Sequence, residues 1–151
     1  MPFLREVPVA VVLVTLTLSL QSTAMAGFVL WVRAYFAKNT SRLGLMRCAD
    51  VMVRVTHAML TLQLLEVVLW AGFYRWKCFP SWDAALYFSA TSYSTVGYGD
   101  VVLPSNWRLL GPIESVTGVL MCGLSASGLF ALVARLVRHE ERFLPPLPGL
   151  T

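Results

Sequence analysis

The sequence predicts an all-α membrane protein: three transmembrane helices, with a short helix and loop that dip in and return between the second and third. Three observations carry this. Hydrophobic residues make up 57% of the 151 and charged residues only 13%, with a mean hydropathy of +0.67, where ordinary globular domains carry about 25% charge. The charges are also segregated. None lies between Val7 and Val32, the only ionisable groups from Val55 to Phe73 are His57 and Glu66, and the only one from Leu109 to Ala134 is Glu114. Each stretch is close to the ~20 residues that cross a ~30 Å hydrocarbon core at ~1.5 Å per residue. Residues 75–108 are too interrupted to cross twice and too apolar for a plain loop.

The spans are expected at 8–32, 51–74 and 109–135. In the first, Arg5 and the small residues Ala24-Met25-Ala26 before Gly27 look like a cleavable leader, but the apolar run continues through Phe28-Val29-Leu30-Trp31, too long for a signal core. A retained span is therefore expected. The second carries Glu66, a carboxylate that is costly within a bilayer unless it faces protein or water. On a helix it shares an i, i+4 stripe with Leu62, Trp70 and Tyr74. The stripe is expected to face the short helix, with Glu66 bonding a hydroxyl from Ser89, Ser92 or Tyr93; structural packing alone is the alternative. In the third span Gly118, Gly123 and Gly128 recur among Ser125, Ala126 and Ser127. Small residues permit close helix packing; the sharper reading is a hinge near Gly118 or Gly123, where glycine eases bending. Glu114, beside Pro112, reads as an interfacial charge.

Between the second and third spans, Pro80-Ser81-Trp82-Asp83 is a helix start, with Ser81 as N-cap and Asp83 near the positive end of the dipole. The helix is expected from Trp82 to about Tyr93, its negative end aimed beneath the loop that follows. That loop reads Thr95-Val96-Gly97-Tyr98-Gly99-Asp100. A strand alternates its carbonyls, so a row of carbonyls facing one axis needs residues that tolerate φ > 0, and Gly97 and Gly99 supply that freedom. Val96 and Tyr98 are free to point away into protein. Such a row can replace the water shell of a desolvated cation. Non-helical backbone at membrane depth must be enclosed by protein or line a water-filled cavity, and one loop encloses nothing, so several chains must meet.

The string TVGYGD at 95–100, the run Ala85-Leu86-Tyr87-Phe88-Ser89, the run Ser92-Tyr93-Ser94-Thr95, and Trp107-Arg108 leading into the third span together resemble the pore module of the potassium-channel superfamily. The likeness covers roughly 51–137, and the extra first span makes the whole similar to small bacterial potassium-channel subunits. The resemblance implies a selectivity filter at Thr95, Val96, Gly97, Tyr98 and Gly99, with K+ held by the backbone carbonyls of Thr95, Val96, Gly97 and Tyr98 and by the Thr95 hydroxyl. It implies fourfold assembly with three further copies of the chain, passive K+ conduction, and no cofactor beyond the bound K+ ions. Filter support is expected from Asp100, Ser94, Thr91, Tyr87, Glu66 and Trp70. Thr91 stands where several relatives carry a carboxylate, which bears on filter stability. The alternatives are a non-conducting or regulatory channel-like subunit and a weakly selective cation channel. No nucleophile–base pair or metal cluster suggests an enzyme.

Basic residues set an expected orientation. Arg33, Lys38, Arg42, Arg47, Arg54, Arg135, Arg138 and Arg142 lie on one side, eight against the four of Arg5, Arg75, Lys77 and Arg108. The bias puts the 33–54 connection and the C-terminus in the cytoplasm and the N-terminus and Asp100 outside, in a membrane expected to be the bacterial plasma membrane. The net charge of +4 is then membrane-flank charge, with no aromatic-interleaved basic patch for nucleic acid. The 34–50 segment, with Arg42-Leu43-Gly44-Leu45-Met46-Arg47, either lies on anionic lipid headgroups or is a simple connection. The expected organisation is an N-terminal helix and basic linker at 1–50, the pore module at 51–137 and a short disordered tail at 138–151. Cys48, Cys78 and Cys122 fall at different depths, so no intramolecular disulfide is expected; Cys78 is either a free thiol or an intersubunit bridge. His57, near the inner surface, reads as an interfacial or packing residue, with cytoplasmic pH sensing as the alternative.

Overall fold

A computed structural model describes residues 3–38 and 44–141. Helix α1 runs Phe3–Lys38, α2 Gly44–Lys77, α3 Trp82–Tyr93 and α4 Leu110–Glu141, with a 3-10 turn at Ser105–Trp107 before α4. Three of the helices are long and apolar enough to cross a membrane, and α3 with its loop sits between the second and third, as expected.

The helices outrun the predicted spans. Apolar patterning reports where the hydrocarbon is, not where a helix stops, and the extra turns carry charge. Arg33 and Lys38 lie in the last turns of α1, and Asp50 and Arg54, 3.0 Å apart, form an i, i+4 pair early in α2. The expected 33–54 connection therefore shrinks: 33–38 and 44–54 are helical, and 39–43, including Arg42 and Leu43, lie outside the described residues. Similarly, 138–141, expected in a disordered tail, is the last turn of α4; 142–151, with Arg142 and Pro145-Pro146-Leu147-Pro148, lies outside the described residues. Helix α1 continues unbroken through the Ala24-Met25-Ala26 run.

Helix α2 ends where the amides of Cys78 and Phe79 both turn back to the Tyr74 carbonyl, at 2.8 and 2.9 Å. Pro80 follows, and the chain re-enters at Ser81, whose extended backbone (φ −129°, ψ 151°) presents Oγ to the Ala84 amide at 3.3 Å. This is the expected N-cap. The core that seats α3 is aromatic. Tyr74 meets Phe88 edge-on at 5.1 Å and 89°, and Phe79 lies 5.6 Å from Phe88. Trp70, Ala71, Tyr74, Ala85 and Leu110 there are wholly buried, with Ala10 and Leu13 of α1 against them. A second cluster, Val32, Val51, Val55, Leu132 and Leu136, joins α1, α2 and α4 at the other end.

Two glycines let α4 approach. A Cβ added at Gly111 would lie 3.3 Å from the Phe88 ring, and one at Gly118 would collide with the backbone carbonyl of Tyr93. The small residue at 118 thus serves backbone-to-backbone contact between α4 and the last turn of α3. Nothing lies within 4 Å of a Cβ added at Gly123.

Gly118→Ala is therefore expected to destabilise the protein by about 1–3 kcal/mol, because a carbonyl cannot rotate away as a side chain would. Gly123→Ala is expected not to destabilise it, since alanine is the better helix former by about 1 kcal/mol. Thermal or denaturant unfolding in detergent compares the two.

Candidate functional site

The loop hangs from the C-terminal end of α3. The Ser94 amide reaches the Ala90 carbonyl at 3.1 Å, the Thr95 amide reaches Ser92 at 3.0 Å, and the Gly97 amide reaches Thr91 at 3.1 Å. Three carbonyls that a helix end would leave unpaired are used to hold the start of the loop. The Ser94 hydroxyl adds a bond to Ala90 at 2.6 Å, and Ser115 of α4 donates to the Ser92 carbonyl at 2.7 Å. Thr91 bonds back to Tyr87 and Phe88 carbonyls within α3, at 2.9 and 3.0 Å.

Above this base the backbone alternates. Thr95, Gly97 and Gly99 have φ of +62°, +51° and +79°, while Val96 and Tyr98 do not enter that region. Alternation of sign is the pattern a row of same-facing carbonyls requires. The glycines were expected here. Thr95 was not: a β-branched residue at positive φ costs of order 1–3 kcal/mol, offset here by the bond from its amide to Ser92. The loop's outer end is tied by one strut, Tyr87 Oη donating to Asp100 Oδ2 at 2.7 Å, while Asp100 Oδ1 accepts from the Val101 amide at 3.0 Å. That bond from Tyr87 holds the Asp100 carboxyl below the usual aspartate range.

The loop is bare on its flanks. Val96 is 52% and Tyr98 72% exposed, and a recess of about 440 Å³ between loop, α3 and α4 is lined by Thr91, Ser92, Thr95, Gly97, Gly99 and Arg108 among others.

Two buried carboxylates grip α3. Glu66 on α2 is wholly buried and accepts from the Tyr93 hydroxyl at the last residue of α3. Its other oxygen, Oε1, has no partner. Of the three hydroxyls considered for Glu66, Tyr93 makes the bond. Ser89 goes instead to Glu114 Oε1 at 2.5 Å and the Val67 carbonyl at 2.9 Å, and Ser92 supplies only its backbone carbonyl. Glu114 is a correction: it is not an interfacial charge but wholly buried, accepting also from Tyr74 Oη at 2.8 Å. Ser89 owns a single proton, so its two short contacts are both satisfied only when the carboxyl contributes the second. The signal available beforehand was that α3 offers a hydroxyl toward the third span as well as the second; the helix phase needed to use it was not in the sequence.

Trp70 lies on the Glu66 stripe but turns its indole N–H to Thr17 of α1, at 3.0 Å, so it joins α2 to α1 and makes no hydrogen bond to α3 or the loop. Gly118 backs Tyr93, and a Cβ added at Gly123 would enter open space among the described residues. Among the described residues no group of three His, Cys, Asp or Glu could hold a metal ion, and the three cysteines are free. Burial pushes the Cys78 thiol up to about 11, so its thiolate is scarce at neutral pH. His57 Nδ1 sits 2.9 Å from the Val53 carbonyl of its own helix.

A protein family described as "ion channel" matches residues 60–135, just over half of the 151-residue chain. The match begins within α2 and takes in α3, the loop and α4 to Arg135, leaving α1 outside. No curated protein and no solved structure matches the chain.

Glu114→Ala strands the Tyr74 hydroxyl in the core while Ser89 keeps its bond to the Val67 carbonyl, and is expected to cost about 1–3 kcal/mol for the group left unpaired; Glu114→Gln, which keeps an acceptor, is expected to cost less in the same unfolding measurement. Tyr87→Phe removes the bond that favours ionised Asp100, so the Asp100 pKa is expected to rise toward the ordinary aspartate range in a carboxyl NMR titration. Because the native value is depressed, the Tyr87–Asp100 contact contributes above the ordinary range and is lost only as pH falls through the lowered one. Any change in activity between pH 6 and 8 must then arise at another group.

Proposed function

The chain belongs to the ion-channel family, and on that premise we propose that it forms a potassium-selective pore as four identical subunits around the 95–99 loop. The observation that carries this is the alternating positive φ at Thr95, Gly97 and Gly99. In the reading offered, the carbonyls of Thr95, Val96, Gly97 and Tyr98, with the Thr95 hydroxyl, replace the hydration shell of K+, and ions pass by displacing one another between successive sites.

The chain's own residues divide the work. Gly97 and Gly99 permit the backbone, the α3 carbonyls position its inner end, and the Tyr87–Asp100 strut positions its outer end. The negative end of the α3 dipole favours a cation beneath the loop. Glu66 and Glu114 hold α3 against α2 and α4 from two sides, fixing the platform on which the ion sites rest. Fourfold assembly is supported by exposure: Val96, Tyr98 and the α4 residues Val116, Val119, Leu120 and Phe130 are all exposed in the single chain, an apolar surface that neighbouring copies would cover. The basic bias supports an orientation with Asp100 outside and the C-terminus in the cytoplasm, and Arg33, Lys38, Arg47 and Arg54 would then face anionic headgroups of the inner leaflet.

Purified protein in liposomes under a potassium gradient tests the reading. K+ flux well above Na+ flux is expected, from a particle with four times the chain mass; no K+ flux, or equal Na+ flux, rules it out. Tyr98→Asp, placing a charge beside the ion sites, is expected to lower the K+/Na+ permeability ratio by at least about tenfold, comparable to ~1.4 kcal/mol of selectivity.

A further inference from the structure

Helix α1 lies outside the segment that matches the ion-channel family, yet it is bound to that segment through buried polar contacts. Glu6, 3% exposed, accepts from the Leu109 amide at the head of α4 at 3.0 Å, where a free donor and the helix dipole both favour a carboxylate. Thr17 receives the Trp70 indole. One turn on, Gln21, 1% exposed, directs Nε2 to the middle of α4, at 3.3 Å from the Met121 carbonyl and 3.1 Å from Ser125 Oγ.

The site of the Gln21 contact matters. Met121 is wholly buried and packs with Val67 and Tyr93, and Gly118, one turn earlier, abuts the Tyr93 carbonyl. Tyr93 ends α3, and the Ser92 carbonyl beside it holds the Thr95 amide. The turn of α4 that Gln21 grips is thus the turn that backs the base of the loop. Beyond it, Gly123 has open space, and at Gly128 an added Cβ would already lie 3.0 Å from Met25 of α1. The Gln21 amide is poorly satisfied, since its Oε1 has no partner. Its two donated bonds exist only while α1 and α4 keep this register, because apolar surroundings offer the amide no water in exchange.

We propose that Gln21 is a positioning residue for gating: through Met121 and Ser125 it holds α4 against the base of the loop, so that α1 sets the equilibrium between conducting and non-conducting arrangements. This rests on the channel reading above. A state in which α4 slides or bends away from α1 loses both bonds, and a bond made in one state only shifts the population between them.

The test is single-channel recording of the full chain in planar bilayers with symmetrical K+. Gln21→Leu keeps the volume and removes the bonds; Ser125→Ala removes the acceptor hydroxyl; Ser125→Thr keeps it. Gln21→Leu and Ser125→Ala are expected to shift open probability in the same direction, by at least about threefold, the scale measured for hydrogen bonds between membrane helices. Unitary conductance and K+/Na+ selectivity are expected to stay unchanged. The double variant is expected to shift no further than Gln21→Leu alone, as for residues sharing one interaction, and Ser125→Thr is expected to gate like the parent. Should Gln21→Leu fail to assemble, Gln21→Asn, too short to reach Ser125, replaces it with the same expected shift. Unchanged open probability, or independent additive shifts, overturns the proposal while leaving the pore intact; absence of current from the unmodified chain overturns both readings.

Discussion

The structure depends on keeping a stretch of non-helical backbone in place between two membrane-spanning helices. Water is scarce there, so each loop amide and carbonyl must find protein or a bound ion. The solution is α3. A twelve-residue helix started by Ser81 ends just where its unpaired carbonyls can receive the amides of Thr95 and Gly97. Two needs cancel: the helix end requires donors and the loop start requires acceptors. Even the strained Thr95 is accommodated within this exchange.

Holding the loop then becomes a matter of holding α3, and this explains an otherwise extravagant use of buried acidic side chains. Two acidic side chains are wholly buried in the bundle. Each reaches a different residue of α3 from a different helix, Glu66 to Tyr93 and Glu114 to Ser89. Together with Gly118 against Tyr93 and Ser115 on the Ser92 carbonyl, they locate the last turn of α3 from both sides. Apolar packing alone would hold the helix but specify its rotation and height poorly, whereas hydrogen bonds of defined length specify both. The same logic extends outward to α1, where Glu6 meets the Leu109 amide just before α4, Thr17 the Trp70 indole of α2, and Gln21 two polar groups on α4.

A single chain leaves this arrangement half finished. The loop's side chains and one face of α4 are exposed. This supports the fourfold reading. In the single chain Val96 and Tyr98 are exposed, although valine is among the residues most often buried.

The three spans, the Ser81 cap, the extent of α3 and the need for glycine at 97 and 99 were legible in the chain itself. Each depends on local chemistry: hydrocarbon thickness sets the length of an apolar run, a cap acts three residues away, and positive φ selects glycine at its own position. The helix ends beyond the bilayer were less legible, because charged turns propagate a helix without showing in hydropathy. What only the tertiary structure decided are the partners of Glu66, Glu114, Trp70 and Gln21, the last lying 100 residues from its acceptor Met121. Helices that are apolar nearly all round carry no clear phase in their sequence, so which face meets which neighbour is settled only when they pack. The positive φ of Thr95 belongs with these, since a threonine adopts it only where bonds from a neighbouring helix end make it worthwhile.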